Sequence, residues 1–405
     1  MIKKLFLKNF RGIEQQTLDL GRINILTGAN NSGKSSIIYG LLALKNIVLY
    51  SNQSLDSFLN LGFLSLGGFT QTVYFKEEDK RSISLGISAE TDAVYSEYTA
   101  TLGKKASSLA IKTTKPINVQ LQLEVAFPYA TNATTGVELS TELGKVNINW
   151  NGITPTISIE QVESSPGDKQ KELLQNISLA FTNPLEELRS VDFIPVRRGF
   201  VKPNYSSVPL QSQLLSDDEL ATLLATDRDL EGKVANYLEK ILDRSFNVRP
   251  TIGTANFNLQ SRDRSTGFVC DLVNEGFGTN QLVTVLTKAL RKEVLTVCIE
   301  ELEIHLHPEL MDKVMRVLME IAYDENKQFI ITTHSEHIVS SALTSVSKKK
   351  IKVDDLKLFY HHKEKKDTVI EEQKINEKGQ VEGGLKSFYQ TNLANIRDFF
   401  AIKKE

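Results

Sequence analysis

An α/β fold follows from three features of the chain. Near its start, an apolar run at 23–26 leads into Gly28-Ala29-Asn30-Asn31-Ser32-Gly33-Lys34-Ser35 and then into a helical pattern carrying Ile37, Ile38, Leu41, Leu42 and Leu44. Far downstream, apolar runs at 295–299 and 329–331 flank an amphipathic helix with Leu310, Val314, Val317 and Ile321. Strand, helix, strand in that order implies parallel strands joined by a crossover helix. Between the two ends lies a long stretch of strict apolar–polar alternation, the mark of antiparallel strands with one buried face. The predicted architecture is a P-loop nucleotide-binding sheet assembled from both chain ends, with an antiparallel β-rich lobe and a helical insert between them. The expected boundaries are 1–70 and 190–405 for the sheet and its helices, about 205–250 for the helical insert, and 71–189 for the β-rich lobe with its connecting helix.

The elements follow in order. Leu5 and Phe6 open a first strand, and the run at 23–26 is the strand before the Gly-rich loop. Ile83, Leu85 and Ile87 alternate with polar residues, as do Val119, Leu121, Leu123, Val125 and Phe127. Val146, Ile148 and Trp150 repeat the pattern, and Ile157 and Ile159 follow a Gly-Ile-Thr-Pro turn. The stretch 168–245 reads as mainly helical, with Val234, Leu238, Ile241 and Leu242 on one face and Ser216-Asp217-Asp218-Glu219 as an N-cap with an acidic first turn. A strand at 356–360, a hairpin over 368–375 with Asn376-Glu377-Lys378-Gly379, and a helix ending near Phe399-Phe400 complete the reading.

Composition narrows the class. The chain has 405 residues, 40% hydrophobic and 24% charged, the balance of an ordinary soluble globular protein. A formal net charge of -2 does not demand nucleic acid. Arg197-Arg198, Lys348-Lys349-Lys350 with Lys352, and Lys363 with Lys365-Lys366 are solvated faces or, aligned in a dimer, a DNA-contacting groove. Cys270 and Cys298 lie in apolar runs, the pattern of buried thiols in a reducing compartment. The N-terminus turns polar at Lys8-Asn9, and no apolar run approaches the roughly 20 residues of a membrane span, so the expected location is cytoplasmic, without membrane contact.

The Gly-rich segment matches G-x-x-x-x-G-K-[ST] at every fixed position, between a strand and a helix as the motif requires. Its glycines let backbone N–H groups of Asn30, Asn31, Ser32 and Gly33 turn around phosphate oxygens, and the helix starting near Lys34, Ser35 and Ser36 adds its positive end. Lys34 would bridge the β- and γ-phosphates and Ser35 would hold Mg²⁺, making ATP and Mg²⁺ the expected ligands. Glu300 and Glu301 end the strand at 295–299: one carboxylate for the metal, one to activate water. His334 follows the next strand and could sense the γ-phosphate. Asn274-Glu275-Gly276-Phe277-Gly278-Thr279-Asn280-Gln281 is a Gly-rich turn at a helix start, again an anion-binding shape or an ordinary turn.

In this order and spacing, these elements resemble ABC-type ATPases of the SMC, RecF and OLD lineage. Phe6-Leu7-Lys8-Asn9-Phe10-Arg11-Gly12-Ile13 is similar to that lineage's start, and Phe193-Ile194-Pro195-Val196-Arg197-Arg198 to the segment leading its second lobe. Glu300-Glu301-Leu302-Glu303-Ile304-His305-Leu306-His307-Pro308 resembles the E-E-P-E-x-H-L-H-P string of OLD-like ATPases, Thr333-His334-Ser335-Glu336-His337 their T-H-S-E-H switch, and Gly276 to Gln281 their version of the ABC signature. The resemblance covers about 1–75 and 190–400. It implies an ABC-type sheet and a head-to-tail homodimer with two sandwiched nucleotides. Each nucleotide would lie on one copy's P-loop and be capped by Gly276, Gly278 and Asn280 of the other. It further implies that Glu300 supports the metal with Ser35, Glu301 activates water, His334 is the switch, and Arg11 approaches the nucleotide.

Three departures stand out. Glu300 replaces the usual Asp, Leu302 the usual proline, and the signature lacks its Ser. His305 and His307, two apart, would point to different faces of a helix, which argues against a metal pair. OLD proteins with a TOPRIM nuclease need a Glu and an Asp-x-Asp; Asp354-Asp355 does not supply it. The resulting expectation is an ATP-hydrolysing dimeric switch that controls a separate effector, such as a nuclease, in defence against foreign DNA. The alternatives are a RecF-like repair ATPase that clamps DNA directly and a slow-turnover nucleotide-binding scaffold.

Overall fold

The computed structural model describes residues 1–141, 144–160, 167–210 and 214–385. The chain divides into two compact units, one of 1–20, 31–191 and 362–370 and the other of 21–30, 192–361 and 371–405.

The first unit is built on a six-stranded sheet of β1 (Ile2–Phe10), β2 (Ile13–Asp19), β4 (Ile83–Glu90), β5 (Tyr95–Leu102), β6 (Ser107–Lys115) and β7 (Val119–Val125), in the order β2-β1-β4-β5-β6-β7. Every neighbouring pair is antiparallel. The alternation at 119–125 is realised residue by residue, apolar positions buried and polar ones exposed. A three-stranded antiparallel sheet of β8 (Thr135–Thr141), β9 (Gly144–Trp150) and β10 (Pro155–Glu160) stands beside it. Trp150 joins the layers: its ring lies 6.3 Å from Tyr98 of β5 and 6.5 Å from Phe181 of α3 (Asp168–Arg189), edge-on to both. Two further helices, α1 (Lys34–Leu49) and the short α2 (Gly68–Thr72), complete the unit, and α1 is buried nearly all round, as a core helix should be.

This differs from the expected division at the N-terminus. Leu5 pairs with Ile87 and Leu7 with Leu85, so β1 and β2 extend the β-rich sheet. Residues 1–20 and 31–70 therefore group with 71–189. Main-chain hydrogen bonding to β4, which sequence patterning does not report, makes that choice.

The second unit holds most of the sheet β11-β16-β17-β3-β18-β19, made of β3 (Ile23–Gly28), β11 (Val191–Ile194), β16 (Thr296–Ile299), β17 (Gln328–Thr332), β18 (Leu356–Glu364) and β19 (Asp367–Gln373), while the hairpin tip at 362–370 belongs to the first unit. The pairs β16–β17, β17–β3 and β3–β18 are parallel. All of β3, β16 and β17 is buried, which is why they read as unbroken apolar runs. The predicted crossover helix is α7 (Pro308–Asp324), and α8 (Glu336–Ser347) follows β17. A smaller sheet of β12 (Tyr205–Ser206), β13 (Arg244–Pro250), β14 (Asn256–Asp263) and β15 (Val269–Asp271) accompanies α4 (Asp217–Thr226), α5 (Arg228–Leu242) and α6 (Phe277–Leu290).

The insert expected to be helical over about 205–250 is thus mixed, because β12 and β13 lie within it beside α4 and α5. The predicted cap of α4 is present: Ser216 Oγ accepts from Glu219 N–H, while Glu219 accepts from Ser216 N–H at 2.9 Å. Cys298 is buried, whereas Cys270 is only half-buried. The helix expected near Phe399-Phe400 lies outside the described residues.

Candidate nucleotide site

Three adjacent strands of the second unit end together. Register pairs Ile299 with Ile331 and Thr332 with Leu26, so the carboxyl ends of β16, β17 and β3 form one edge. Crevices at such ends are where α/β sheets take ligands. Immediately beyond lie Glu300-Glu301, Thr333-His334 and Gly28-Ala29-Asn30 respectively.

The two carboxylates have different surroundings. Glu300 is 5% exposed, and its N–H donates to Ile194 O at 3.0 Å. Glu301 turns outward through a left-handed backbone, φ 44°, with its N–H on Thr332 Oγ1 at 3.0 Å. His334 Nε2 lies 3.9 Å from Glu301 Oε1. A third carboxylate, Glu303, holds the histidine loop by accepting from Thr333 Oγ1 at 2.8 Å and from His334 N–H.

The chain continues from Gly28 to α1, whose start belongs to the first unit. Gly33 sits at φ 97°, ψ 11°, a left-handed conformation suited to glycine, immediately before Lys34. Lys34 and Ser36 are buried, Ser35 half-buried and Asn31 exposed. Ser32 is 2% exposed, yet its Oγ has no hydrogen-bond partner. Gly33 supplies no side-chain cap, and the first turn of α1 carries no acid. An unsatisfied buried hydroxyl at an uncapped helix start fits a phosphate group and the Mg²⁺ that accompanies it.

Around this loop, Arg11 occupies the β1–β2 turn with its guanidinium 5.2 Å above the Tyr39 ring of α1. The hairpin tip of β18 and β19 adds Lys363, which donates to Thr368 Oγ1 at 2.9 Å, while Thr368 N–H donates to Gly12 O at 2.7 Å. Burial holds the Lys363 ammonium below its usual pKa against the opposing Asp367 charge, and Arg11 lowers it further.

The Gly-rich turn at 276–281 starts α6, with Gly276 as N-cap. Phe277 is 72% exposed and stacks on His305, ring centroids 5.3 Å apart. His305 and His307 both precede α7, and His307 caps it through Nδ1. The carboxamide of Asn280, expected to reach a nucleotide held by a second copy, is instead engaged within its own chain. It is 7% exposed and hydrogen-bonded to Phe200 and Leu272. In the same turn Gly276 is exposed and Gly278 half-buried.

Sequence reasoning placed Arg198 in the segment leading the second lobe but gave it no contact at this site. Its guanidinium donates to the carbonyls of Glu300 at 2.7 Å, Glu301 at 3.0 Å and Leu302 at 3.3 Å. Burial pulls its pKa down to about 10, against the charges of Glu303, Glu301 and Glu300. In the sequence it was one member of a basic pair, and nothing in its spacing pointed to a turn about a hundred residues away. The Glu303 contacts were equally silent, although the residue lay within the quoted string.

A family model described as "AAA domain, putative AbiEii toxin, Type IV TA system" matches residues 23–340. The chain belongs to this family. The match spans Gly28 to Ser36, Asn280, Glu300, Glu301 and His334, and leaves Arg11 outside. This AAA-family chain is 52% identical over 42 residues to "Uncharacterized protein MJECL10" of Methanocaldococcus jannaschii, a segment that is 10% of this chain and 19% of that relative. The chain thus spans about a fifth of that relative's length. Solved structures similar to it include an SMC head domain from Thermotoga maritima, at 11% identity and TM-score 0.43, covering 91% of this chain and 98% of that one. An Smc head bound to the C-winged helix domain of ScpA gives 12% identity and TM-score 0.47, over 93% and 98%. Among the described residues, no helix is long and apolar enough to cross a membrane.

Proposed function

We propose that this AAA-family chain binds and hydrolyses ATP, dimerises around the nucleotide, and passes its state to a separate effector. The observation that carries the reading is the shared edge of β16, β17 and β3, which gathers a buried carboxylate, an exposed carboxylate, a histidine and the first half of the P-loop. In this reading, Lys34 and the loop N–H groups neutralise the β- and γ-phosphates, with Ser32 Oγ gaining the partner it lacks. Ser35 and Glu300 would hold Mg²⁺, which supplies charge neutralisation on the phosphate oxygens. Glu301 takes a proton from the attacking water. His334 Nε2 lies 3.9 Å from Glu301 Oε1, and in this reading His334 senses the γ-phosphate that the activated water attacks.

The exposed Phe277, flanked by Gly276 and Gly278, suits the face offered to a second copy. The test is light scattering of Glu301→Gln with and without Mg-ATP, together with phosphate release by the parent, Lys34→Ala and Glu301→Gln. The expected result is a nucleotide-dependent rise in mass, with turnover lost in both variants. Unchanged mass with ATP bound would sink the dimeric switch, and parental turnover in Glu301→Gln would sink its assignment as the base.

A further inference from the structure

Residues 198–200 connect two parts of the site that the chain places far apart in sequence. At one end Asn280, in the first turn of α6, grips Phe200 by both main-chain groups. Its Oδ1 accepts from Phe200 N–H at 2.6 Å, and its Nδ2 donates to Phe200 O at 2.8 Å and to Leu272 O at 3.2 Å. Gly199 lies between, at φ 126°, and a Cβ there would sit 3.1 Å from Asn280 Oδ1. At the other end Arg198 spans the consecutive carbonyls of Glu300, Glu301 and Leu302, and also reaches Pro195 O at 3.2 Å.

The turn held by Arg198 is the one in which Glu301 adopts its left-handed backbone, a conformation that persists only when surrounding contacts enforce it. Arg198 Nε is buried without a partner, so the carbonyl contacts of the two terminal nitrogens are what hold the guanidinium in place. The start of α6 also meets this loop directly. Phe277 stacks on His305, and a Cβ on Gly278 would lie 3.1 Å from His305 O.

We propose that residues 198–200 act as a strap that holds the turn of Glu301 in place, with Arg198 and Asn280 as positioning residues. The inference rests on reading Glu301 as the group that activates water. Asn280 fixes the Phe200 main chain to the first turn of α6, and Arg198, two residues earlier, holds the carbonyls of the turn that presents Glu301.

Arg198→Lys keeps the charge but loses the fork that bridges several carbonyls. Asn280→Asp keeps the shape but loses both amide donations. Turnover against ATP concentration, equilibrium binding of a fluorescent ATP analogue and thermal melting are measured for the parent, both single variants, the double variant and Glu301→Gln. The expected result is a fall in kcat of about tenfold in each single variant with nucleotide affinity within about twofold. The double variant is expected to be no slower than the slower single one, because both cut the same strap. Unchanged kcat in both singles, losses that multiply in the double, or affinity falling as far as kcat would each overturn the strap. Parental turnover in Glu301→Gln places the failure in the reading of Glu301; slow Glu301→Gln with fast strap variants places it in the strap alone. Should Asn280→Asp melt early, amide hydrogen exchange in Arg198→Lys decides: faster exchange at 300–304 than in α7 is expected, and parental exchange there overturns the proposal.

Discussion

Replacing Gly33 by alanine probes the phosphate loop through two separable costs. At φ 97° an L-residue is left-handed, a strain of about 1–2 kcal/mol. The new Cβ would also lie 2.6 Å from Thr368 Oγ1, 2.8 Å from its Cγ2 and 3.2 Å from its Cβ. Forcing atoms into such a packed contact costs about 1–3 kcal/mol. The sum is about 2–5 kcal/mol, with weakened nucleotide binding because the loop must shift. Thr368→Ala removes the two closest atoms and leaves the 3.2 Å contact. The double variant should therefore recover the clash, about 1–3 kcal/mol, and retain the backbone strain. Thermal or urea unfolding of the four-member cycle, paired with nucleotide binding, reads both parts. Purely additive losses, or Gly33→Ala as stable as the parent, would refute the claim that the hairpin tip packs against the loop.

Glu303→Ala should destabilise by about 2–4 kcal/mol, since buried Thr333 Oγ1 and His334 N–H lose a charged acceptor. Glu303→Gln should restore part of this, and in both variants turnover should fall further than nucleotide affinity. Ser216→Ala removes the cap of α4 and should cost about 1 kcal/mol in unfolding while leaving nucleotide binding at the parental level. Tyr74 is held up to about 12 by burial and by its hydrogen bond to Asp367. The sign follows: stability from the neutral phenol is complete below about pH 10 and is lost as pH rises through about 12. Burial also holds Tyr205, Tyr237 and Tyr323 up to about 12 and pushes Tyr98 up, so alkaline absorbance titration should show several late tyrosines, one fewer in Tyr74→Phe.

Much of the site was legible because its chemistry is written in short, local signals. The P-loop is a contiguous string whose glycines act through backbone turns, and Gly33 adopts the left-handed turn the motif requires. The carboxylates and His334 each sit at the end of a fully buried strand, and such strands announce themselves as apolar runs. Helix α7 announced itself by periodicity, and the parallel pair followed from its length.

Contacts of long sequence separation were not legible. Side-chain grips such as Arg198 on the 300–302 carbonyls, Glu303 on the His334 loop and Asn280 on Phe200 leave no periodic trace, because each joins one residue to a main chain elsewhere. The sheet that β1 joins is likewise a choice among compatible apolar strands, made by main-chain hydrogen bonds and register. By itself, then, the sequence determined where the Gly-rich loop meets the start of α1 and which strands would be buried. Tertiary structure alone decided which carboxylate is enclosed, which is exposed, and that Asn280 serves its own chain, because burial and hydrogen-bond partnership exist only once distant segments are packed together.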